Sequence, residues 1–99
     1  MIRLSRVAQR QVAALVRHFE AIERPEALEN LRAALIRASD RIVDGRGLFY
    51  DAPRPYPDAS RPGWRWTKEG AYWIAYAPDR GSPVIRAVFH AAADIPRRL

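Results

Sequence analysis

The chain has no cysteine, a single lysine (Lys68) and no hydrophobic run that approaches the length of a membrane span. Without cysteine there is neither a disulfide nor a thiolate metal site, which fits a reducing compartment. Spanning a bilayer as a helix takes about 20 apolar residues, and arginines interrupt the N-terminal stretch at Arg3 and Arg6 before any apolar segment of signal-peptide length. The expectation is a cytoplasmic protein with no membrane association. Several kinds of chemistry are also missing. The sequence has no glycine-rich phosphate loop, no His/Asp/Glu grouping at metal-ligand spacing, and no base near Ser39 or Ser60 that would make either a nucleophile. It predicts no cofactor, no metal and no small-molecule substrate.

What is present is a single domain's worth of chain, 99 residues, with a net charge of +6. All but one of the 17 basic residues are arginine. Residues 1–49 hold nine basic and six acidic side chains and residues 50–99 hold eight and five, so no basic tail stands out. Such a surface suits nucleic acid, the ribosome or an acidic protein, and it also simply confers solubility.

The first half is patterned as helix. Ile2 to Leu4 suit a short strand and Ser5 a helix N-cap. Ala8, Val12, Leu15, Val16, Phe19 and Ile22 recur at helical spacing, predicting a helix over about 6–22. Pro25 opens a second helix whose stripe is Leu28, Leu31, Leu35, Ala38 and Ile42, with Gly45 and Gly47 at its end. The short break between them implies an antiparallel hairpin. Residues 48–63 contain Pro53, Pro55, Pro57 and Pro62 and so cannot form a central strand; Leu48, Phe49, Tyr50 and Tyr56 are the residues able to pin this loop to the body.

From Trp64 the period becomes two. Trp64–Thr67, Tyr72–Tyr76 and Val84–Phe89 read as strands, separated by turns at Lys68-Glu69-Gly70 and Pro78–Pro83. The fold class is therefore α+β, ordered β-α-α-β-β-β, with a helical hairpin on one face of a mainly antiparallel sheet. Trp64, Trp66, Tyr72, Trp73 and Tyr76 crowd two strands. These rings either finish a small core or, where exposed, anchor a protein partner.

Arg61-Pro62-Gly63-Trp64-Arg65, then Gly70-x-Tyr72-x-Ile74-x-Tyr76, then Val88-Phe89-His90 and Asp94-Ile95-Pro96 form an ordered set. Behind a helical hairpin, this set resembles the ParE branch of the RelE/ParE toxins of type II toxin–antitoxin systems, and the resemblance covers nearly the whole chain. Two features depart from that pattern: Ala93 stands where the family carries arginine, and the proline-rich stretch before Arg65 is longer. The resemblance implies a growth-inhibiting toxin neutralised by a cognate antitoxin. The target it implies is DNA gyrase, trapped on cut DNA without chemistry by the toxin; Arg65, Arg97 and Arg98 are the candidate contacts. The antitoxin, usually an acidic protein, would meet Trp64, Trp66, Tyr72, Trp73 and Tyr76. The alternative within the family is a ribosome-dependent messenger-RNA endoribonuclease. Cleavage by 2′-OH attack needs a base, a cation for the phosphorane and an acid, for which Arg65, Arg86 and His90 are the candidates, with Lys68 beside them. His90 suits proton transfer, or it simply ends its strand and hydrogen-bonds its own loop.

Overall fold

The computed structural model describes residues 1–46, 49–93 and 95. The element order is β1 (Arg3–Leu4), α1 (Arg6–Ala21), α2 (Pro25–Asp44), a 3-10 turn (Pro57–Ala59), β2 (Arg65–Glu69), β3 (Tyr72–Asp79) and β4 (Ser82–His90). The four strands make one sheet ordered β1-β4-β3-β2. β1 runs parallel to β4, and the other two pairings are antiparallel. This is the β-α-α-β-β-β order that the periodicity predicts, with the helical pair packed on the sheet.

Local chemistry sets the boundaries. Ser5 caps α1, its Oγ accepting from the Ala8 N–H at 3.1 Å, and the Gly45 C-cap of α2 takes the left-handed conformation at φ +68°. Ile22, at the C-cap of α1, is 48% exposed and does not continue the apolar stripe. The β3–β4 connection is tighter than the sequence suggests. Both strands run on to Asp79 and Ser82, leaving only Arg80 and Gly81 as the turn, at φ +53° and +84°. Two positive φ values in a two-residue hairpin match the right-handed twist of the strands. Likewise, Lys68 and Glu69 belong to β2, and the first hairpin turns at Gly70 and Ala71.

β1 is too short to pair all of β4, and it reaches only Val84 and Ile85. Farther along, the Val88 N–H is satisfied by Gln11 Oε1 of α1 at 2.9 Å, as a buried donor must be. Ser39 of α2 closes the other end, accepting from the Ile2 N–H at 2.7 Å.

Each face of the sheet has its own core. On the helix side, Leu31, Ala34, Leu35, Ala38 and Ile42 of α2 meet Tyr72, Ile74, Ile85 and Val88, with Ala8 of α1. On the opposite side Trp66, Trp73, Ala75, Ala87 and Phe89 pack with Ala59 and Ile95. The cover for this second face comes from the proline-rich segment: Tyr50, Tyr56 and Trp64 pack against it, and Tyr50 pairs with Trp66 through two backbone bonds of 2.7 Å. Prolines suit such a cover, because it hangs on the sheet by side chains and one bridge and needs no continuous ladder.

One irregularity redistributes side chains between the faces. Ala75 pairs with Ala87 but Tyr76 pairs with Ile85, so Arg86 is an extra residue, a β-bulge. Simple alternation puts Ile85, Ala87 and Phe89 on one face. The bulge instead sends Ile85 to the helix-side core and Ala87 and Phe89 to the other.

Candidate functional site

Two concavities lie at the end of the sheet where β4 finishes. One cleft, of about 600 Å³, lies between α1 and β4 and is lined by Gln11, His18, Val88, His90 and Ala93 among others. A second, of about 460 Å³, lies between the α1–α2 junction and the β2–β3 turn, with Arg24, Asn30, Arg37, Gly70, Tyr72 and His90 in its walls. His90 is common to both. It is half-buried, and its ring meets Tyr72 edge-on at 5.5 Å between centroids. Nδ1 accepts from the Ala92 N–H at 3.1 Å. That bond holds the lone pair on Nδ1, so neutral His90 carries its proton on Nε2. His90 thus does bind its own loop, and it still turns a donor towards the clefts.

Tyr72 is 3% exposed, and burial pushes its phenol above the usual tyrosine range. Beside it sits a charge cluster that the sequence does not announce. Glu69 ends β2 with its side chain buried, and the two α2 arginines close on it, Arg37 Nε at 3.4 Å from Oε1 and Arg41 Nε at 3.3 Å from Oε2. The sequence pattern assigns Glu69 to a turn and the late arginines of α2 to the helix dipole. The two-residue period of β2 carries the missing signal: counted from Thr67, which is buried, Glu69 points the same way.

The structure does not gather the three ribonuclease candidates. Arg65 is opposite Tyr76, whereas His90 is opposite Tyr72. The two positions differ by four residues along the strands and two strands across, about 13 Å by about 10 Å at ordinary sheet spacings. Arg65 is exposed with Asp51 at 3.8 Å. Arg86, at the bulge, spends Nη2 on the Pro78 carbonyl at 3.3 Å. Lys68 is exposed on the opposite face, near Tyr50, Arg54 and Trp73. His18 is exposed.

Of the aromatic residues expected to meet a partner, Trp66, Tyr72 and Trp73 are core residues, and only Trp64 and Tyr76 are half-exposed. Of the two alternatives, finishing a core holds for Trp66, Tyr72 and Trp73. Trp66 and Trp73 lie under segment 49–63, which occupies the face that the helices leave open, and Tyr72 lies in the helix-side core. Tyr76 spends one edge on Phe49, at 5.4 Å between centroids. Arg97 and Arg98 lie outside the described residues, as do Gly47, Leu48, Asp94 and Pro96. Among the described residues no three His, Asp or Glu side chains group as metal ligands, and no helix is long and apolar enough to cross a membrane.

The exposed side of α1 is basic, with Arg6, Arg10 and Arg17 all at the surface. An apolar groove is lined by residues of both helices and the N-terminus, Met1, Val12, Val16, Leu28, Leu35 and Ile36 among others.

No family model matches the chain, and no curated protein is significantly similar to it.

Proposed function

We propose that this chain is the toxin of a type II toxin–antitoxin pair, of the RelE/ParE kind, and that it stops growth by holding DNA gyrase on cut DNA rather than by chemistry of its own. The observation that carries the reading is the coherence of the motif set within the fold. Gly70 turns the first hairpin at φ +56°; Tyr72, Ile74 and Tyr76 share the helix side of the central strand β3; and Val88 and His90 stand opposite Ile74 and Tyr72. Tyr72, Ile74, Tyr76, Val88 and His90 thus share the helix side of the sheet, while Phe89 and Ile95 pack on the other face.

The preference for a binder over a nuclease rests on the separation of Arg65 from His90. An acid, a base and a phosphorane cation must all lie within hydrogen-bond reach of one phosphate, and two of the three candidates sit at opposite ends of the sheet. Exposed arginines on α1 and at Arg65 suit contact with DNA or with an acidic protein surface. For the antitoxin, the burial of Trp66, Tyr72 and Trp73 moves the preferred contact to the apolar groove of the helical hairpin, where Met1 and Ile36 are exposed beside Arg32. An acidic amphipathic segment has the complementary chemistry.

Pulsed expression in a sensitised bacterium, scored in parallel for DNA damage and for protein synthesis, tests the reading. Early DNA damage with translation intact is the expected result. Early translation arrest with cut messages refutes the gyrase reading and makes the messenger-RNA endoribonuclease the better account, with His90 as its first candidate.

A further inference from the structure

We propose that the cleft between the α1–α2 junction and the β2–β3 turn binds a phosphate-type oxyanion, either free or as the phosphate of a nucleotide. The site does not need the toxin reading: Tyr72 and His90 also carry the resemblance, but Arg24, Asn30 and Arg37 lie outside it.

Four kinds of donor border this cleft: the guanidinium groups of Arg24 and Arg37, the amide of Asn30, the Tyr72 hydroxyl and the His90 ring. Both arginines are anchored by Nε. Arg24 Nε reaches Glu26 at 2.6 Å, and Arg37 Nε reaches Glu69 at 3.4 Å. Fixing Nε leaves the paired Nη groups available in a held orientation, the arrangement that suits a forked contact to an oxyanion. Arg37 Nη2 lies 3.6 Å from where a Gly70 Cβ would stand, an ordinary van der Waals distance, so the guanidinium lies against the turn.

Tyr72 lines the same cleft: its ring is buried, and its hydroxyl makes no hydrogen bond among the described residues and is not sealed off from solvent. The phenol stays protonated well past neutrality because burial disfavours its anion, so it offers a donor and carries no charge to repel an anion. His90 adds Nε2–H, since Nδ1 is engaged by Ala92.

The charge balance points the same way. Glu69 is shared by Arg37 and Arg41, which leaves one positive charge in excess, and Arg24 with Glu26 is neutral. Among the described residues no carboxylate lines the cleft. The volume of about 460 Å³ exceeds what a phosphate alone needs and falls within the usual range for small-molecule sites, about 300–1,000 Å³. Phe19 and Ala27 give the remaining wall an apolar character suited to a base or sugar.

The test is a titration of the 15N-labelled protein with pyrophosphate, inorganic phosphate and adenosine 5′-monophosphate, at constant ionic strength with chloride as the balancing anion. Saturable shifts at Gly70, Ala71 and His90 are expected. Equal affinity for pyrophosphate and the mononucleotide assigns the site to the oxyanion alone; tighter mononucleotide binding, with shifts extending to Phe19 and Ala27, assigns it to a nucleotide. Arg24→Gln, at an exposed position that bears no core, should weaken binding by about tenfold, the usual consequence of losing one charge-assisted hydrogen bond. Tyr72→Phe, which keeps the ring, should weaken it by about threefold to tenfold. Shifts that rise linearly and spread over surface arginines such as Arg6 and Arg10, or binding that neither variant alters, overturn the proposal.

Discussion

Glu69→Gln is the substitution whose effect follows most directly from the geometry. The carboxylate is 6% exposed and faces two guanidinium groups at 3.3 and 3.4 Å. Breaking a fully buried ion pair by removing one partner costs about 3–5 kcal/mol, because a charge is left stranded. Here the stranded groups would be Arg37 and Arg41, whose side chains are 53% and 44% exposed and so regain water. That pulls the cost towards the value of about 1 kcal/mol or less for an exposed pair. Glutamine also keeps one acceptor oxygen at the same place. The expected loss is about 1–2 kcal/mol, between the two limits. In a chain of this size each kcal/mol moves the thermal midpoint by about 4–8 °C, so a fall of about 5–15 °C is expected. The assay is thermal unfolding followed by circular dichroism, run on the wild type, Glu69→Gln, Arg41→Met and the double variant. The double variant should recover part of the sum of the single losses, with a coupling of about 0.5 kcal/mol or more. A midpoint unchanged by Glu69→Gln, or strictly additive losses, would refute the idea that this cluster ties β2 to α2. A leucine at the same position is not an equivalent test, since apolar replacements of buried ion pairs are often neutral.

Two further outcomes follow from single residues. Gly81→Ala should cost about 1 kcal/mol, because an L-residue at φ +84° pays the left-handed penalty; a urea midpoint equal to that of the wild type would show that the β3–β4 turn takes another form in solution. The second concerns pH. Burial raises the Tyr72 pKa above its ordinary value of 10.0. The folded state then holds that proton more tightly than the unfolded chain does. This contribution is fully present below the unfolded value and is lost as pH rises through the folded one. Tyr72→Phe should therefore flatten the alkaline fall in stability above about pH 10, as read from urea midpoints across that range, and an equally steep fall in the variant would remove Tyr72 as its cause.

Much of the fold is legible in the sequence because periodicity reports directly on burial. The stripe Leu31, Leu35, Ala38 and Ile42 is buried as the spacing of three and four demands. In β3, Tyr72, Ile74 and Tyr76 share one face and Trp73 and Ala75 the other, as a period of two demands. Periodicity is silent on what covers the second face. The segment 49–63 has no period at all; its contribution comes from isolated residues such as Pro53 and Ala59, both fully buried, and the Tyr50 bridge. The sequence shows that prolines forbid a central strand there, but not that the segment folds back as a cover. That is why Trp66 and Trp73 read as available to a partner when they are core. Glu69 fails for the opposite reason: a glutamate before a glycine is ordinary turn chemistry, and only its partners on α2, more than 25 residues earlier in the chain, make burial tolerable.

The bulge at Arg86 is the least legible feature and the one on which the candidate site depends. Its neighbours Ile85 and Val88 are at home in a strand and no glycine stands beside it, so nothing in the sequence marks an extra residue. Yet Ile85 packs on the helix side, and from there an unbroken alternation would carry Ala87 and Phe89 to the same side and His90 to the other. The extra residue reverses the phase. Ala87 and Phe89 go to the covered face, and His90 comes up beside Tyr72 on the helix side, among Arg24, Asn30 and Arg37. The two cores constrain this phase strongly, since slipping it by one would bury the His90 side chain among Trp66 and Trp73 and expel Phe89 towards the helices. The chemistry at the end of β4 is therefore set by a backbone irregularity four residues away, held in place by the packing of both faces rather than by any residue type at the bulge itself.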